Sequence, residues 1–259
     1  MKLPIYQVDA FTSRLFGGNP AAVVLLDEWL PDPVMQNIGL ENNLSETAFV
    51  IPREDQSELR WFTPTMEVDL CGHATLAAAH VLFRHRYPSL NQIQFRTRSG
   101  VLGVERNGEL LSLDFPSLTV VPSAVPEVAS ALGAQPRETM RSNSLLAVFE
   151  SEDEVRAIRP DFERVAALGA LMLIVTAQGK DVDYVFRVFA PGAGIPEDPA
   201  TGSAHCTLIP YWAARLGKSK FTARQISNRI GEFTCELRGS RVRISGMAVD
   251  YLHGEIHVG

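Results

Sequence analysis

Residues 71–75 read CGHAT and residues 201–205 read TGSAH, and this pair of short stretches decides the fold. Each follows an apolar, strand-like run that ends in phenylalanine, one further residue and proline. Each also leads into an apolar segment with helical spacing, which predicts buried helices over residues 74–85 and from about 203 to 216. The chain therefore presents the order strand, loop and buried helix twice.

Glycines at a long, constant spacing point to an internal duplication. Three glycine pairs are separated by 130 or 131 residues: Gly72 and Gly202, Gly100 and Gly231, and Gly108 and Gly239. The alternation of apolar residues beside the last two pairs also matches, and it predicts a hairpin that turns at Gly108 and another that turns at Gly239. A repeat of half the chain length indicates two copies of one structural unit.

Strand-like runs outnumber helical ones, which favours an α+β fold built from two pseudo-symmetric halves. The predicted strands cover residues 22–26, 47–51, 59–63, 94–97, 110–115, 171–176, 184–190, 241–245 and 248–252. Shorter helices are predicted over 33–42 and 161–168, and Pro210 is expected to kink or split the helix that begins near Ser203.

A passage with two prolines, residues 118–126, lies close to the middle of the chain. We therefore place an N-terminal half at residues 1–117 and a C-terminal half at residues 118–249. We expect the last strand, near residues 250–259, to complete the N-terminal half.

Composition and charge exclude several classes of protein. Lys and Arg number 24 against 30 Asp and Glu, a net charge of −6, which argues against a nucleic-acid or membrane-surface binder. Three cysteines without a CxxC pair do not make a disulfide framework, so a reducing compartment is expected. No signal-peptide pattern or membrane-length apolar run is present, so the sequence predicts a cytoplasmic protein.

The turns at Gly72 and Gly202 predict two buried helix N-termini, which we expect to face one another. Helix N-termini carry unpaired N–H groups and a positive dipole end, so two of them would bind a small carboxylate-bearing molecule. The alternative is that each glycine only permits a tight turn into its helix. For one copy that alternative is the better explanation, but for a matched pair the two are balanced.

Polar residues around these turns are the candidates for chemistry. Asp198 precedes Pro199 and so is not expected within a helix. His73 occupies the position that Ser203 fills in the other half. Glu46 begins an apolar strand, where desolvation would raise its proton affinity into the range of a general base. The alternatives are that Asp198 is a loop cap, His73 a core histidine with its hydrogen bonds satisfied, and Glu46 a surface charge at the end of a strand. Taken singly, each of these alternatives is the better explanation.

Motifs for cofactor chemistry are absent from the sequence. The six histidines show neither HExxH nor a Cys/His spacing suited to zinc, and no phosphate-binding glycine loop or GxSxG occurs. The sequence therefore gives no support for redox-cofactor or nucleotide chemistry.

Several motifs together resemble the phenazine biosynthesis PhzF-like isomerase family. They are YQVDAFT at 6–12, GNP at 18–20, NLSETAF at 43–49, FTP at 62–64, CGHAT at 71–75 and EDPATGSAH at 197–205. The resemblance implies the diaminopimelate epimerase fold, in which two similar halves each wrap a sheet or barrel round a central helix. It also implies an active site between the halves and a homodimer.

Residue roles follow from the same resemblance. Glu46 corresponds to the proton-transfer residue of the family, and His73 and Asp198 are implied as its catalytic partners. The implied substrate-binding residues are Ser45, Cys71, Gly72, Thr201, Gly202 and Ser203. The implied partner is a small-molecule carboxylate, and the resemblance implies no metal and no organic cofactor. Charge and composition, as above, predict no nucleic-acid or membrane partner.

Two alternatives stay open at this point. Related racemases place a thiol at each helix start, whereas here Cys71 and Thr201 hold those positions, a pair found in hydroxyproline dehydratases of the proline racemase group. A non-catalytic protein that binds a small molecule with the same fold is the second alternative. Tight binding without isotope exchange would distinguish that protein from an isomerase.

Overall fold

The computed structural model describes residues 1–259, and the chain forms two units. Unit 1 comprises Met1–Asp114 with Ser245–Gly259, and unit 2 comprises Phe115–Ile244. No helix combines the length and the apolar character that crossing a membrane would require.

Eight strands and two helices come first along the chain. The strands are β1 (Lys2–Ala10), β2 (Asn19–Leu25), β3 (Glu46–Ile51), β4 (Ser57–Phe62), β5 (Glu67–Val68), β6 (Gln92–Thr97), β7 (Gly100–Asn107) and β8 (Leu110–Pro116). The helices are α1 (Asp32–Asn42), between β2 and β3, and α2 (Gly72–His85), between β5 and β6.

Ten strands and four helices follow. The strands are β9 (Val121–Pro122), β10 (Glu138–Arg141), β11 (Leu145–Val148), β12 (Leu173–Gln178), β13 (Tyr184–Ala190), β14 (Ile195–Asp198), β15 (Lys220–Gln225), β16 (Gly231–Arg238), β17 (Arg241–Gly246) and β18 (Ala248–His257). The helices are α3 (Glu127–Leu132), α4 (Glu152–Ala157), α5 (Phe162–Ala167) and α6 (His205–Leu216). Short 3-10 turns cover Pro191–Ala193 and Gly202–Ala204.

Strand pairing in unit 2 repeats the pairing in unit 1. In unit 1, β1–β2 is antiparallel, β2–β3 parallel, β3–β4 and β4–β5 antiparallel, β4–β6 parallel and β6–β7 antiparallel. In unit 2 the same sequence of directions joins β10–β11, β11–β12, β12–β13, β13–β14, β13–β15 and β15–β16. The predicted duplication is therefore confirmed at the level of strand topology.

The central helix of unit 1 is α2, and its sequence explains its burial. All residues from Gly72 to Phe83 are buried, and the helix packs on β1, β2, β3 and β18. Alanine at four positions of the helix lets strands approach it from several sides, as expected for a helix that is apolar on nearly every face. Strand β18 pairs antiparallel with β1 over its whole length.

The corresponding helix of unit 2, α6, continues through Pro210 from His205 to Leu216. Of the two expected effects of Pro210, a kink or a split, the split is therefore wrong. Proline removes the hydrogen bond to the carbonyl four residues earlier, which is that of Cys206. This carbonyl instead accepts a hydrogen bond from the Leu118 N–H at 2.8 Å. A tertiary contact thus replaces the missing bond in the helix.

Both predicted hairpin turns are present. Gly108 and Gly239 have φ values of +61° and +60°, which place both in the left-handed region that favours glycine. The nine predicted strands and four predicted helices all occur, with ends that differ by a few residues. The sequence analysis did not predict several elements that are short or carry polar residues between their apolar ones: β1, β5, β9, β10, β11, β14, β15, α3 and α4.

Candidate active site

Glu46 is the first residue of β3 and is buried, with 8% of its surface exposed. It lies opposite Ala21 in the parallel pairing of β2 and β3. The chain reaches this point from α1 through Asn43, which ends the helix in the left-handed conformation. Asn42 Nδ2 then donates to Thr47 Oγ1 at 3.0 Å, which fixes the start of the strand. The explanation of Glu46 as a surface charge is therefore wrong.

His73 is the second residue of α2 and is 6% exposed. Asn19, at the start of β2 and completely buried, donates from Nδ2 to His73 Nδ1 at 3.2 Å. Because Nδ1 accepts this bond, the neutral ring carries its proton on Nε2. Burial lowers the pKa of His73 from 6.5 to about 3, so the imidazole is neutral at pH 7.

His73 Nε2 and Glu46 Oε2 lie 3.2 Å apart. His73 Nε2 is nevertheless buried with no hydrogen-bond partner. A buried donor left unsatisfied costs about 1–3 kcal/mol, so such atoms in native proteins are often found at functional positions. This donor and the Glu46 carboxylate are close enough to act together in proton transfer.

Cys71 immediately precedes α2 and brings a thiol to the same place. Its Sγ lies 3.5 Å from His73 Nδ1, and its carbonyl accepts from the backbone N–H of Thr75 at 3.2 Å. Ligand atoms of Glu46, Cys71 and His73 all lie within 4.8 Å of one another. The spacing of Cys and His along the sequence had not suggested a metal site, because Glu46 reaches this group from β3, whereas Cys71 and His73 lie at the start of α2.

The other predicted residues of this unit flank the group. Gly72 is buried and opens α2 between Cys71 and His73. Ser45 is half-buried in the bend before β3, one residue from Glu46. The structure thus brings together Glu46 and Cys71–His73, with Ser45 adjacent to the first of them in sequence.

Asp198 ends β14 in unit 2 and is 8% exposed, outside any helix as predicted. The Thr201 hydroxyl donates to Asp198 Oδ2. Gln225, at the end of β15 and completely buried, accepts from the Thr201 N–H at 2.7 Å and donates to the Asp198 carbonyl. The Gln225 side chain therefore forms hydrogen bonds with both ends of the turn between Asp198 and Thr201.

Gly202 and Ser203 form a 3-10 turn with Ala204, and α6 begins only at His205. Ser203 is half-buried, whereas Gly202 is buried. The neighbouring acid, Glu197, is paired with Arg187 by two hydrogen bonds of 2.8 Å and so serves to hold β14. Of the two carboxylates in this motif, Asp198 is the candidate for chemistry.

Sequence reasoning missed two residues of this arrangement. Asn19 lies within the GNP motif, whose role the sequence did not reveal, and it fixes the ring of His73. Gln225 lies 24 residues beyond Thr201, on a strand with no polar motif of its own. No local signal identifies either residue, because each acts on a partner distant in sequence.

Comparison with known proteins gives consistent results. The model of the phenazine biosynthesis-like protein family, PhzC-PhzF, matches residues 8–254. An uncharacterized isomerase of Pseudomonas aeruginosa is 52% identical over 261 residues and covers 100% of both chains. A crystal structure of a PhzF-family phenazine biosynthesis protein from Enterococcus faecalis is 46% identical, covers 100% of both chains and has a TM-score of 0.97.

A more distant structure has the same fold. It is a hydroxyproline epimerase from Agrobacterium vitis, with 11% identity, a TM-score of 0.63 and coverage of 98% of this chain and 91% of the other. With the repeated strand pairing, these likenesses confirm the predicted fold class.

Proposed function

Because this chain belongs to the phenazine biosynthesis-like family, we propose that it is a cofactor-independent isomerase that moves a proton between carbon atoms of a small carboxylate. The isomerase names of its relatives support an isomerase-type function. The reaction and its residues are our proposal. The observation that carries it is the buried Glu46–His73 pair, with 3.2 Å between carboxylate and ring nitrogen.

Glu46 acts as the general base in this proposal. An ionised carboxylate accepts a proton from a carbon that is activated by a neighbouring unsaturated or carboxylate group of the substrate. Its small exposure, 8%, limits the access of water to the reacting carbon but lets the carboxyl group exchange its proton with solvent before Glu46 returns a proton to the substrate at another carbon. The result is a shifted double bond or an inverted stereocentre.

His73 supplies a neutral hydrogen-bond donor at Nε2. Because Asn19 donates to Nδ1, the Nε2 proton is available for the oxygen on which negative charge develops as the carbon is deprotonated. The unsatisfied state of this donor supports such a role, since a bound substrate would relieve the cost of burying it. The start of α2 at Gly72 adds backbone N–H groups suited to a carboxylate.

Asp198 is proposed as a second acid–base residue, held by Thr201 and Gln225. Thr201, Gly202 and Ser203 would contribute hydroxyl and backbone donors to the substrate. That these residues act on the same molecule as Glu46 stays a prediction from the sequence.

The test is solvent-deuterium incorporation into a panel of small unsaturated and hydroxylated carboxylic acids, followed by proton NMR. The purified protein should exchange a carbon-bound proton of at least one acid, and Glu46→Gln should reduce the rate at least about 100-fold, as for loss of a general base. Glu105→Gln, which changes an exposed acid on β7, is the matched control.

Folding of each variant is checked by circular dichroism. Exchange that persists unchanged in folded Glu46→Gln would refute the assignment of the base. Tight binding of an acid without any exchange would instead favour the non-catalytic binding protein.

A further inference from the structure

The group formed by Glu46, Cys71 and His73 has the composition of a metal site. It offers a carboxylate oxygen, a thiol sulfur and an imidazole nitrogen, all within 4.8 Å of one another. The three residues are each less than 9% exposed, and His73 Nε2 has no hydrogen-bond partner. A buried nitrogen without a partner, next to a thiol and a carboxylate, is an independent sign that the group accommodates a ligand.

The distances within the group are comparable with those between the ligands of a zinc ion. Bond lengths of about 2.0–2.1 Å to nitrogen and oxygen and about 2.3 Å to sulfur place tetrahedral zinc ligands about 3.4–3.6 Å apart. His73 Nε2 and Glu46 Oε2 lie 3.2 Å apart, whereas Cys71 Sγ lies 3.5 Å from the other ring nitrogen of His73, Nδ1. The ligand atoms of the three residues lie within 4.8 Å of one another, so rotation of the Cys71 side chain towards His73 Nε2 would complete the group around one ion.

We propose that Glu46, Cys71 and His73 form a zinc-binding site that inhibits the enzyme. On binding, the Cys71 thiol releases its proton to solvent and the sulfur coordinates as thiolate. The ring proton of His73 moves to Nδ1, where the Asn19 amide can turn its oxygen to accept it, as the outer partner of a metal-bound histidine commonly does. Glu46 provides the third ligand, and water or a substrate carboxylate takes the fourth position.

The donor set selects the metal. Thiolate and imidazole favour Zn²⁺ over Mg²⁺ or Ca²⁺, which prefer oxygen ligands. Inhibition follows from the proposed function, on which this part of the inference rests, because an ion bound to Glu46 and His73 removes the base and the donor together. Metal binding itself does not depend on that function.

Cobalt(II) absorption spectroscopy tests the site directly, with Co²⁺ as the probe and Zn²⁺ as the competitor. Added to the metal-free protein, Co²⁺ should produce a thiolate-to-cobalt charge-transfer band and the intense visible bands of four-coordinate cobalt, and one equivalent of Zn²⁺ should abolish them. Cys71→Ser should lose the charge-transfer band, and Glu46→Gln should weaken Co²⁺ binding at least tenfold. Cys206→Ser, which alters another buried cysteine, should bind Co²⁺ as the wild type does.

Protection from alkylation provides a second measurement that needs no variant. Zn²⁺ should slow the reaction of Cys71 with iodoacetamide in the wild-type protein at least tenfold, as measured by mass spectrometry of the peptide that contains it. Absence of the charge-transfer band, its persistence in Cys71→Ser, or unchanged alkylation with Zn²⁺ would each overturn the site.

Deuterium exchange with and without Zn²⁺ separates the two proposals. Loss of exchange on adding one equivalent of Zn²⁺, with recovery on chelation, supports inhibition. Exchange that continues in a protein shown to hold Co²⁺ would overturn the inhibition. Cobalt binding by a protein that exchanges no carbon-bound proton of any acid tested would support the metal site and would refute the proposed function.

Discussion

Replacing Asn19 by aspartate reverses one hydrogen bond beside the proposed base and leaves the shape of the side chain almost unchanged. In the wild type, Asn19 Nδ2 donates to His73 Nδ1 at 3.2 Å, so Nε2 carries the ring proton. An ionised aspartate can only accept hydrogen bonds, so Nδ1 would have to carry the proton instead. In Asn19→Asp the neutral ring therefore presents an acceptor, not a donor, towards Glu46.

The magnitude follows from the same distance. A negative charge 3.2 Å from the ring nitrogen stabilises the imidazolium by about 5 kcal/mol at an effective dielectric constant of about 20. That energy corresponds to a rise of up to about 4 pKa units, from the present pKa of about 3 towards neutrality. At a pH above the raised pKa, where the ring is neutral and has lost its donor on Nε2, the exchange rate should fall about 10²- to 10³-fold, as for loss of a preorganised donor.

Nitrogen-15 NMR of labelled histidine measures the tautomer and the pKa of His73 in the same sample. The variant should show Nδ1 protonated and a pKa raised by at least about 2 units, together with the loss of deuterium exchange. Asn42→Asp is the control, because its partner Thr47 has a hydroxyl that can donate as well as accept. An unchanged tautomer and an unchanged exchange rate in folded Asn19→Asp would refute the reasoning.

Three further expectations concern glycine geometry and acid stability. Gly18→Ala would place its Cβ 2.0 Å from a backbone oxygen at φ +57°, and should destabilise the protein by at least about 3 kcal/mol in urea unfolding. Gly108→Ala, at φ +61° with open space around it, should destabilise the protein by only about 1–2 kcal/mol. Equal losses of stability in the two variants would show that the close contact at Gly18 has no effect. Burial lowers the pKa of His205 from 6.5 to about 3, so the unfolded chain takes up a proton in this pH window that the folded protein does not. The free energy of unfolding should therefore fall as the pH drops below about 6.5, by about 2 kcal/mol at pH 5 for this histidine. His205→Gln should reduce the acid-induced loss by that amount, and identical losses in both proteins would argue against this origin.

Much of the fold could be predicted because its signals are local. The Ala-rich pattern of α2, the apolar runs of β3 and β13, and the turns at Gly108 and Gly239 each follow from a few neighbouring residues. The duplication adds long-range information, since the elements predicted in one half support the prediction of matching elements in the other. Pro210 shows the limit of this approach, because the bond that keeps α6 intact comes from Leu118, far away in sequence.

The sequence also indicated which residues are candidates for the site, but it did not predict how their side chains are arranged. The sequence indicated Glu46, His73 and Asp198, yet for each residue taken singly a purely structural role was the better explanation. Burial separates these alternatives for Glu46, which is 8% exposed and so is not a surface charge. Burial is a property of the packed chain, so the sequence alone could not decide between them.

By itself, the sequence determined the two-copy architecture and the residue types at each helix start, because helix periodicity, strand alternation and glycine turns act over a few residues. The tertiary structure alone decided that Glu46, Cys71 and His73 meet, and that Asn19 sets the ring proton of His73. Asn19 and His73 are 54 residues apart in the chain. Their contact depends on the register of β2 against β3 and on the packing of α2 across those strands, which long-range burial fixes and local propensity does not.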